Sequence, residues 1–576
     1  MKNGSLMDRE TLIESAFIVA FFAMLLFLGP ATAANHKLEH KLPTGYSASD
    51  SYQHQARAQA IYDMGQYKKE APYMMMGFED VTGFYPPMLL HLSVILARTS
   101  GLPVHDALQI IVGLALTLGA VMMYFFARAM GKSIAILSLP LTIFITTGAP
   151  FLGAVTFGQM PFALSSMFLV ATAWAITKIE LKRSYILIAA ALAGSIMTHT
   201  SETLFFSMFM AIAFGAAILS KISREKINAV KAVFTENKAI LTGLGLAAAL
   251  TLYFWPLFIG IWLKIQPYRG IKVETESASF PAATVHIFNA FGHMMYAFIM
   301  IGLIAAIIIA IQKKSGLGTL LHNPKIFPLA FSAWMMAAGF GTYLGFGLRS
   351  FQTRLYWPIT LAPLAGFGIY NILRPITSTI KKGPNMFIIA AATTLILSAF
   401  IVEAHYQKPV ATAMPEQHWE TMRWIAQNST KNAKVGVLYS QILSQTSMLY
   451  NDERVNYFVE FPEAVNIINE INANNGTLGR TRQMSIATDS GSGVPYRKGL
   501  FSFGQHTAET STNGKFDICG FDYYMIDLAF DERNKALQQL NFFMIQKFAR
   551  HNMTAEHQND WVIVMKNNNK GGECLA

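Results

Sequence analysis

An acid, an imidazole and a guanidinium stand close together in the polar segment that follows the first apolar stretch of the chain. Asp50 precedes His54 by four residues, and Arg57 follows His54 by three. Residues at this spacing lie on one face of a helix, so we predict a helix that begins near Asp50 and groups the three side chains. A carboxylate held by neighbouring donors can serve as a general base. The structural alternative is that Asp50 only caps the helix.

Two further acids and a proline pair complete this polar segment. Glu79 and Asp80 precede Tyr85-Pro86-Pro87, which opens a new apolar helix. We expect the two acids to support the chemistry of Asp50, and we expect His54 and Arg57 to hold the carboxylate in place rather than to react.

The composition indicates a membrane protein. Of the 576 residues, 53% are hydrophobic and 14% are charged, whereas soluble proteins have about 25% charged residues. Apolar stretches of about 20 residues can cross a bilayer, and they recur from Phe17 to Phe400. A shorter apolar segment, residues 86–100, is expected along the outer interface. We predict about eleven spans, at residues 12–33, 105–127, 133–151, 160–178, 184–198, 203–220, 239–263, 293–312, 327–347, 355–373 and 385–403.

The basic residues predict the orientation of these spans. A formal net charge of +11 would suit a nucleic-acid-binding protein, but Lys and Arg collect in alternate loops, as the positive-inside rule describes. We therefore predict no nucleic-acid partner, a cytoplasmic N-terminus and an extracytoplasmic C-terminus, in the cell membrane. A signal peptide cleaved near Ala31-Thr32-Ala33 is the alternative to an uncleaved first span.

The predicted fold class is an α-helical polytopic membrane domain followed by a small extracytoplasmic α/β domain. The membrane domain covers residues 1–403, with outer loops at 35–104 and 264–292, and the second domain covers residues 404–576. In the second domain the spacing of apolar residues predicts helices at 416–427 and 531–550 and strands at 435–439, 521–527 and 561–565. Such alternation is typical of an α/β domain.

Two further pairs of charged residues lie on the predicted outer face. Arg349 and Arg354 could bind a lipid phosphate, because a guanidinium makes bidentate contacts to phosphate oxygens. Their alternative role is to reach toward lipid headgroups. His199 and Glu202 form a polar break between two apolar segments, and ionisable residues at membrane depth are often functional. A tight turn capped by Glu202 is the alternative there.

The residues of the first outer loop resemble a known family. The segment Asp50–Gly65, with its D-x-Y-x-H-x-x-R-A pattern, and Tyr85-Pro86-Pro87 are similar to the first-loop segment of archaeal oligosaccharyltransferases. The whole layout resembles the GT-C superfamily of polytopic glycosyltransferases, including oligosaccharyltransferases and dolichyl-phosphate-sugar transferases. The resemblance implies a catalytic Asp50 and a functional Glu in the later outer loop, to which Glu274 or Glu276 could correspond. It also favours a substrate or lipid contact for His199, although a solvated loop remains the alternative for the two glutamates.

Two motifs of the oligosaccharyltransferases are missing from this sequence. The second domain has no W-W-D-Y-G, and the second outer loop, residues 147–159, has no acidic residue. A metal held jointly by Asp50 and that loop is therefore disfavoured. Asp50, Glu79 and Asp80 could still bind a divalent metal together, but we expect no metal and no cofactor.

Taken with the resemblance, the residues predict a membrane glycosyltransferase. It would move a sugar, with inversion, from a polyprenyl-phosphate-linked donor to a glycan, lipid or protein acceptor on the outer face. One alternative is a non-catalytic GT-C-like subunit of a membrane assembly. Another is a lipid or solute transporter, although such proteins carry polar groups through the midplane of the bundle.

Overall fold

The chain folds into a long helical bundle followed by a small sheet. The seven strands within the described residues all lie after residue 433. The computed structural model describes residues 9–46, 49–67, 86–147, 154–155, 158–225, 228–255, 280–312, 320–321, 323–339, 358–378, 386–406, 414–430, 433–438, 455–459, 481–484, 514–517, 521–528 and 535–569.

The helices of the bundle come first along the chain. The first, α1, continues through a π-helical turn at Phe27–Ala31. Their bounds are α1 Arg9–Leu26, α2 Ser49–Met64, α3 Met88–Ser100, α4 Val104–Ala127, α5 Lys132–Thr142, α6 Phe144–Thr147, α7 Met160–Thr177, α8 Ser184–Ile196, α9 Thr200–Glu225, α10 Asn228–Glu236, α11 Lys238–Leu250, α12 Phe280–Gln312, α13 Phe327–Gly339, α14 Pro358–Ser378 and α15 Met386–His405.

Seven helices in the described part of the chain are long and apolar enough to cross a membrane. These are Thr11–Ala31, Val104–Ala127, Met160–Thr177, Glu202–Ile222, Phe291–Gln312, Ile359–Thr377 and Met386–His405. The protein is therefore an integral membrane protein, as predicted. The other predicted spans coincide with the shorter apolar helices α5, α8, α11 and α13, so the number of eleven spans stays a prediction. The segment predicted along the interface is the short apolar helix α3.

Two glycines set the crossing of α12 and α14. A Cβ atom added at Gly302 would overlap the backbone carbonyl of Leu364, and one added at Gly368 would overlap the carbonyl of Phe298. The two helices therefore touch backbone to backbone, which is the way in which small residues drive helix association in membranes.

An ion-pair cluster joins three helices at the end of the bundle that carries the N-terminus. The buried Glu14 of α1 accepts hydrogen bonds from Arg128 Nε at 2.6 Å and Arg128 Nη2 at 3.1 Å. Lys132 Nζ lies 3.3 Å from the same carboxylate, and the Tyr124 hydroxyl donates to it. Arg128 and Lys132 are among the residues that the positive-inside rule places on the cytoplasmic side.

Removing Arg128 from this cluster is expected to weaken the bundle. In the Arg128→Gln variant the carboxylate of Glu14, 4% exposed, loses its bidentate partner. Because the Arg128 side chain is 37% exposed, water compensates part of the loss, and we expect a destabilisation of about 1–3 kcal/mol. Thermal unfolding in lipid nanodiscs measures it. The exposed Lys182→Gln serves as the matched control, and equal melting temperatures for the two variants would contradict a structural role for the cluster.

The second part of the chain forms a mixed sheet with two helices, α16 Glu416–Asn428 and α17 Lys535–Arg550. The sheet has the order β2-β1-β5-β7-β6, in which β1 runs parallel to β2 and β5 while β7 runs antiparallel to β5 and β6. The strands are β1 Lys434–Leu438, β2 Val455–Val459, β5 Tyr523–Asp527, β6 Met553–Gln558 and β7 Val562–Asn567, and a separate pair is formed by β3 Thr481–Met484 and β4 Gly514–Asp517.

These elements match the sequence expectations closely. The three predicted strands appear as β1, β5 and β7, shifted by one or two residues at their ends, and both predicted helices are present. The order of the sheet was not evident from the sequence, because β1 pairs with β5, which lies far away along the chain. The boundary between the two predicted domains, at residues 403 and 404, stays a prediction.

Candidate active site

The helix predicted near Asp50 is α2, and it is polar yet buried. Asp50 lies in its first turn, and its side chain lies outside the described part of the chain. One turn later, His54 is 4% exposed and Arg57 is 5% exposed. Burying polar side chains costs free energy unless they find hydrogen-bond partners. A helix with the sequence S-D-S-Y-Q-H-Q-A-R in such a place therefore indicates a site built for polar contacts.

The second outer loop holds the start of α2 through its backbone. The Ser51 hydroxyl donates to the carbonyl of Val155 at 3.1 Å, and the His54 ring is hydrogen-bonded to the backbone of Gly158. Gly158 has a φ of 77°, a left-handed conformation that glycine adopts without strain. The loop that lacks acidic side chains thus contacts the candidate site with peptide groups.

Neighbouring helices hold the rest of α2. Arg98 at the end of α3 donates to the carbonyl of Tyr62 at 2.6 Å, and its guanidinium lies 5.3 Å from the centre of the Tyr62 ring. The Tyr52 hydroxyl donates to the carbonyl of Tyr46 at 3.0 Å. Apolar side chains of α2, α3 and α4 pack between these contacts, including Ala58, Ile61, Leu90 and Val94. Because α2 is anchored at both ends, the residues of its first turn are fixed relative to the bundle.

His54 is held in its neutral form. Burial removes water from the charged imidazole, and the electrostatic influence of the nearby Arg57 and His199 side chains also opposes its protonation. Together these effects place the pKa of His54 well below its usual value of 6.5, although its hydrogen bond to Gly158 acts in the opposite direction. His54 therefore contributes a neutral ring one helical turn after Asp50, consistent with a positioning role.

The lowered pKa predicts how stability depends on pH. Once the pH falls below about 6.5, the unfolded chain binds a proton at His54 and the folded protein does not. The free energy of unfolding should therefore decrease as the pH falls from about 6.5 toward the folded pKa. We expect His54→Gln to lose less stability than the wild type between pH 7.5 and pH 5, measured by thermal unfolding in nanodiscs.

The control for this experiment is His36→Gln, an exposed histidine of the same loop. It should retain the pH dependence of the wild type. If His54→Gln also retains that dependence in full, the neutral state of His54 is wrong.

The predicted pair His199 and Glu202 forms a buried contact at the turn between α8 and α9. His199 Nδ1 lies 2.5 Å from Glu202 Oε2, and the Glu202 side chain is 1% exposed. The Met88 amide at the start of α3 donates to the carbonyl of Met197 at 2.9 Å. His199 also influences the protonation of His54 on α2 electrostatically. The structure thus pairs His199 with Glu202 and places His54 and Arg57 on the same buried helix.

A second polar cluster was not singled out from the sequence. Asp106, in the first turn of α4, accepts hydrogen bonds from the His40 amide at 2.8 Å and contacts the His40 ring at 2.6 Å. The ring of His105 lies 2.9 Å from the carbonyl of His40 and packs edge-on against Trp419 of α16, with ring centres 5.7 Å apart. This cluster joins the first outer loop, the bundle and the second domain. Two adjacent ionisable residues at the start of an apolar span were the signal that could have revealed it.

Several buried polar atoms of the bundle have no hydrogen-bond partner among the described residues. Buried polar groups normally pair with protein atoms or water, so unpaired ones mark positions at which a ligand or water would be bound. They are Gln55 Oε1 on α2, Gln109 Nε2 on α4, Ser166 Oγ on α7 and Glu202 Oε1 on α9.

Other predicted site residues lie outside the described part of the chain, and their roles stay predictions. No group of three His, Cys, Asp or Glu side chains within the described ranges is arranged to hold a metal ion. The residues outside those ranges are Glu79, Asp80, Tyr85, Glu274, Glu276, Arg349 and Arg354.

Comparison with known proteins finds similar folds only among solved structures. No protein-family model matches the sequence, and no curated protein sequence matches it either. Among solved structures, the oligosaccharyltransferase AglB from Archaeoglobus fulgidus, in complex with an inhibitory peptide and a dolichol-phosphate, is similar with a TM-score of 0.52 and 11% identity over 77% of this chain. The chain spans 64% of the length of that protein.

A second similar structure covers nearly the whole chain. ArnT from Cupriavidus metallidurans, bound to undecaprenyl phosphate, has a TM-score of 0.50 and 11% identity over 96% of this chain and 99% of its own. An apo form of an oligosaccharyltransferase from Archaeoglobus fulgidus matches with a TM-score of 0.50 and 10% identity over 76% of this chain and 64% of that one. The resemblance stated from the sequence is thus confirmed for the fold: this chain shares the fold of these solved proteins.

Proposed function

We propose that this protein is an inverting glycosyltransferase. It transfers a sugar from a polyprenyl-phosphate-linked donor to an acceptor on the outer face of the membrane. The observation that carries the proposal is the buried polar helix α2, which holds Asp50, His54 and Arg57 at the end of a bundle with the GT-C fold. In a loop that only faces water, such polar side chains would remain solvated instead of being buried.

In the proposed mechanism, the acceptor displaces the lipid phosphate from the sugar in a single step. The carboxylate of Asp50 removes the proton from the acceptor hydroxyl as the acceptor oxygen attacks the anomeric carbon. The bond from that carbon to the phosphate oxygen breaks, and its electron pair leaves with the phosphate. Arg349 or Arg354 stabilises the negative charge on the departing lipid phosphate. Since the acceptor approaches from the face opposite the leaving group, the configuration of the sugar inverts.

Neighbouring residues support the base and the substrates. His54, neutral and hydrogen-bonded to Gly158, fixes the helix turn that carries Asp50, while Arg57 adds positive charge on the same helix. Glu79 and Asp80 are proposed to support the acceptor side, and Glu274 or Glu276 to contact the substrate from the later outer loop. The second domain, which meets the bundle at Trp419, would help to select the acceptor.

The choice of a lipid-linked donor is supported by the similar structures. AglB was solved with a dolichol-phosphate and ArnT with undecaprenyl phosphate, both of them polyprenyl phosphates. The protein itself is embedded in the bilayer, where such a carrier resides. A solved oligosaccharyltransferase from Archaeoglobus fulgidus is tethered to an acceptor peptide containing an NVT sequon. The missing W-W-D-Y-G motif argues against transfer of a whole glycan to Asn by this chain.

Reconstitution tests the proposal directly. The purified full-length protein in liposomes is supplied with radiolabelled polyprenyl-phosphate-linked sugars and, separately, with nucleotide sugars. We expect label to move to a membrane or glycan acceptor only from the lipid-linked donors, and nuclear magnetic resonance of the product should show inversion at the anomeric carbon. Lipid or solute movement across the bilayer without sugar transfer would instead favour the transporter.

A further inference from the structure

We propose that Asp106 couples the second domain to helix α2. It does so by holding residues 34–46, here called the linking segment, against the start of α4. The coupling goes beyond the proposed function, because it concerns how two parts of the molecule are joined and holds whichever reaction the protein performs.

Asp106 holds the middle of the linking segment at two points. Its Oδ2 atom accepts a hydrogen bond from the backbone N–H of His40 at 2.8 Å, and its Oδ1 atom lies 2.6 Å from His40 Nδ1. The other ring nitrogen of His40 donates to the carbonyl of Ala34 at 2.9 Å, so the ring also ties the segment to itself. The Asp106 side chain is 2% exposed, and a buried carboxylate is stable only with such partners. The segment is therefore fixed to α4 while this side chain is in place.

The end of the linking segment carries this constraint to α2. The Tyr46 hydroxyl donates to the carbonyl of His105 at 3.1 Å, and the Tyr52 hydroxyl of α2 donates to the carbonyl of Tyr46 at 3.0 Å. The two tyrosine rings also pack edge-on, with centres 5.7 Å apart, and both side chains are fully buried. Tyr52 lies in the first turn of α2. A displacement of the start of α4 therefore reaches the start of α2 through two hydrogen bonds.

The opposite side of the cluster contacts the second domain. The His105 ring lies 2.9 Å from the carbonyl of His40 and packs edge-on against Trp419 of α16, with ring centres 5.7 Å apart. Trp419 is 1% exposed, so its indole is enclosed by protein. Lys41 of the linking segment lies 3.7 Å from Glu416 at the start of α16, an exposed pair that contributes little energy. Helix α16 thus contacts both the linking segment and the start of α4.

Asp106 is the residue at which these contacts meet. It bonds the linking segment directly, and its Oδ2 atom lies 3.4 Å from Nε2 of His105. His105 in turn contacts both Trp419 and Tyr46. In a buried polar network, the removal of one member weakens the bonds of the others, and contiguous packed contacts of this kind carry energetic coupling between distant sites. We therefore expect α16 and α2 to respond to each other only while Asp106 holds the linking segment.

Hydrogen–deuterium exchange of the full-length protein in lipid nanodiscs tests the coupling, and two tryptophans of α16 provide matched variants. Trp419→Leu removes the ring that contacts His105. Trp424→Leu instead removes a ring that stacks on His557 inside the second domain, with centres 5.1 Å apart. Both are measured with Asp106 intact and in the Asp106→Asn background, because asparagine has the shape of aspartate but offers one acceptor atom instead of two. The peptides that cover α2 and α16 are followed.

The exchange of the α2 amides should depend on both residues. With Asp106 intact, Trp419→Leu should speed this exchange by about 5- to 150-fold, the range of typical coupling between sites. Trp424→Leu should speed exchange in the second domain and leave α2 within about 2-fold of the wild type. Asp106→Asn alone should also speed exchange in α2. Adding Trp419→Leu to it should change α2 by less than about 2-fold, because the connection is already lost.

His40→Gln is measured in the same way, because it breaks the contact of the linking segment without removing the buried acid. Faster exchange of α2 in this variant, with no further effect of Trp419→Leu, supports the coupling. Equal effects of the two tryptophan variants on α2, or no effect of either, overturn it. Additive effects of Asp106→Asn and Trp419→Leu on α2 also overturn it, because the two residues then act independently. Sugar transfer enters none of these results, so they stand apart from the test of the proposed function.

Discussion

Replacing Asp50 with Asn is expected to slow sugar transfer by about 10²- to 10⁴-fold, the contribution of a positioned general base. The amide has nearly the same shape as the carboxylate but cannot accept the proton of the acceptor hydroxyl. Because α2 is anchored by Ser51, Tyr52 and Arg98, the helix should keep its place in the variant. The measurement is kcat in proteoliposomes with a saturating lipid-linked donor.

The matched control is Asp63→Asn, which lies at the other end of the same helix and is exposed. It should transfer sugar at the wild-type rate. Thermal unfolding of both variants checks that neither substitution disrupts the bundle. Transfer by Asp50→Asn at the rate of the wild type would remove Asp50 from the role of base and favour a non-catalytic role for the polar helix.

A methyl group at Gly302 should produce the largest loss of stability. In Gly302→Ala the added Cβ would overlap the backbone carbonyl of Leu364, so α12 and α14 must move apart. Overpacking of a tight contact costs about 1–3 kcal/mol and more when backbone atoms are involved, so we expect a loss of roughly 3 kcal/mol. Thermal unfolding in nanodiscs and the yield of folded protein measure it.

The bundle offers a matched glycine for comparison. Gly245 of α11 has no atom within 4 Å of the place where a Cβ would lie. Gly245→Ala is expected to be neutral or to stabilise by up to about 1 kcal/mol, since alanine favours the helix. If the two variants unfold at the same temperature, the close approach of α12 and α14 does not hold the bundle together.

The membrane class and several elements were predictable because each depends on local pattern. The length of the apolar runs predicted membrane-spanning helices. The four-residue spacing of Asp50 and His54 predicted α2. In the second domain, short apolar runs predicted β1, β5 and β7. These signals are contained in neighbouring residues, so they require no knowledge of the rest of the fold.

The contacts around α2 were not predictable in the same way. The carbonyls of Val155 and Gly158 carry no side-chain signal, and their approach to Ser51 and His54 depends on how the loops meet. The pairing of His40 with Asp106 joins residues that are far apart in the chain, which no spacing rule covers. Sequence did identify His199 and Glu202 as a polar break, but the hydrogen bond between their side chains required the structure.

A structure of the full-length protein in a lipid nanodisc, determined with a non-hydrolysable polyprenyl-phosphate-linked sugar, tests the central claim most directly. We predict that the lipid phosphate contacts Arg349 or Arg354. The carboxylate of Asp50 should lie on the opposite side of the sugar, within reach of an acceptor oxygen that stands about 3–3.5 Å from the anomeric carbon. A carboxylate more than roughly 15 Å from both arginines would contradict a shared donor and acceptor site, because reacting atoms must come within that short distance.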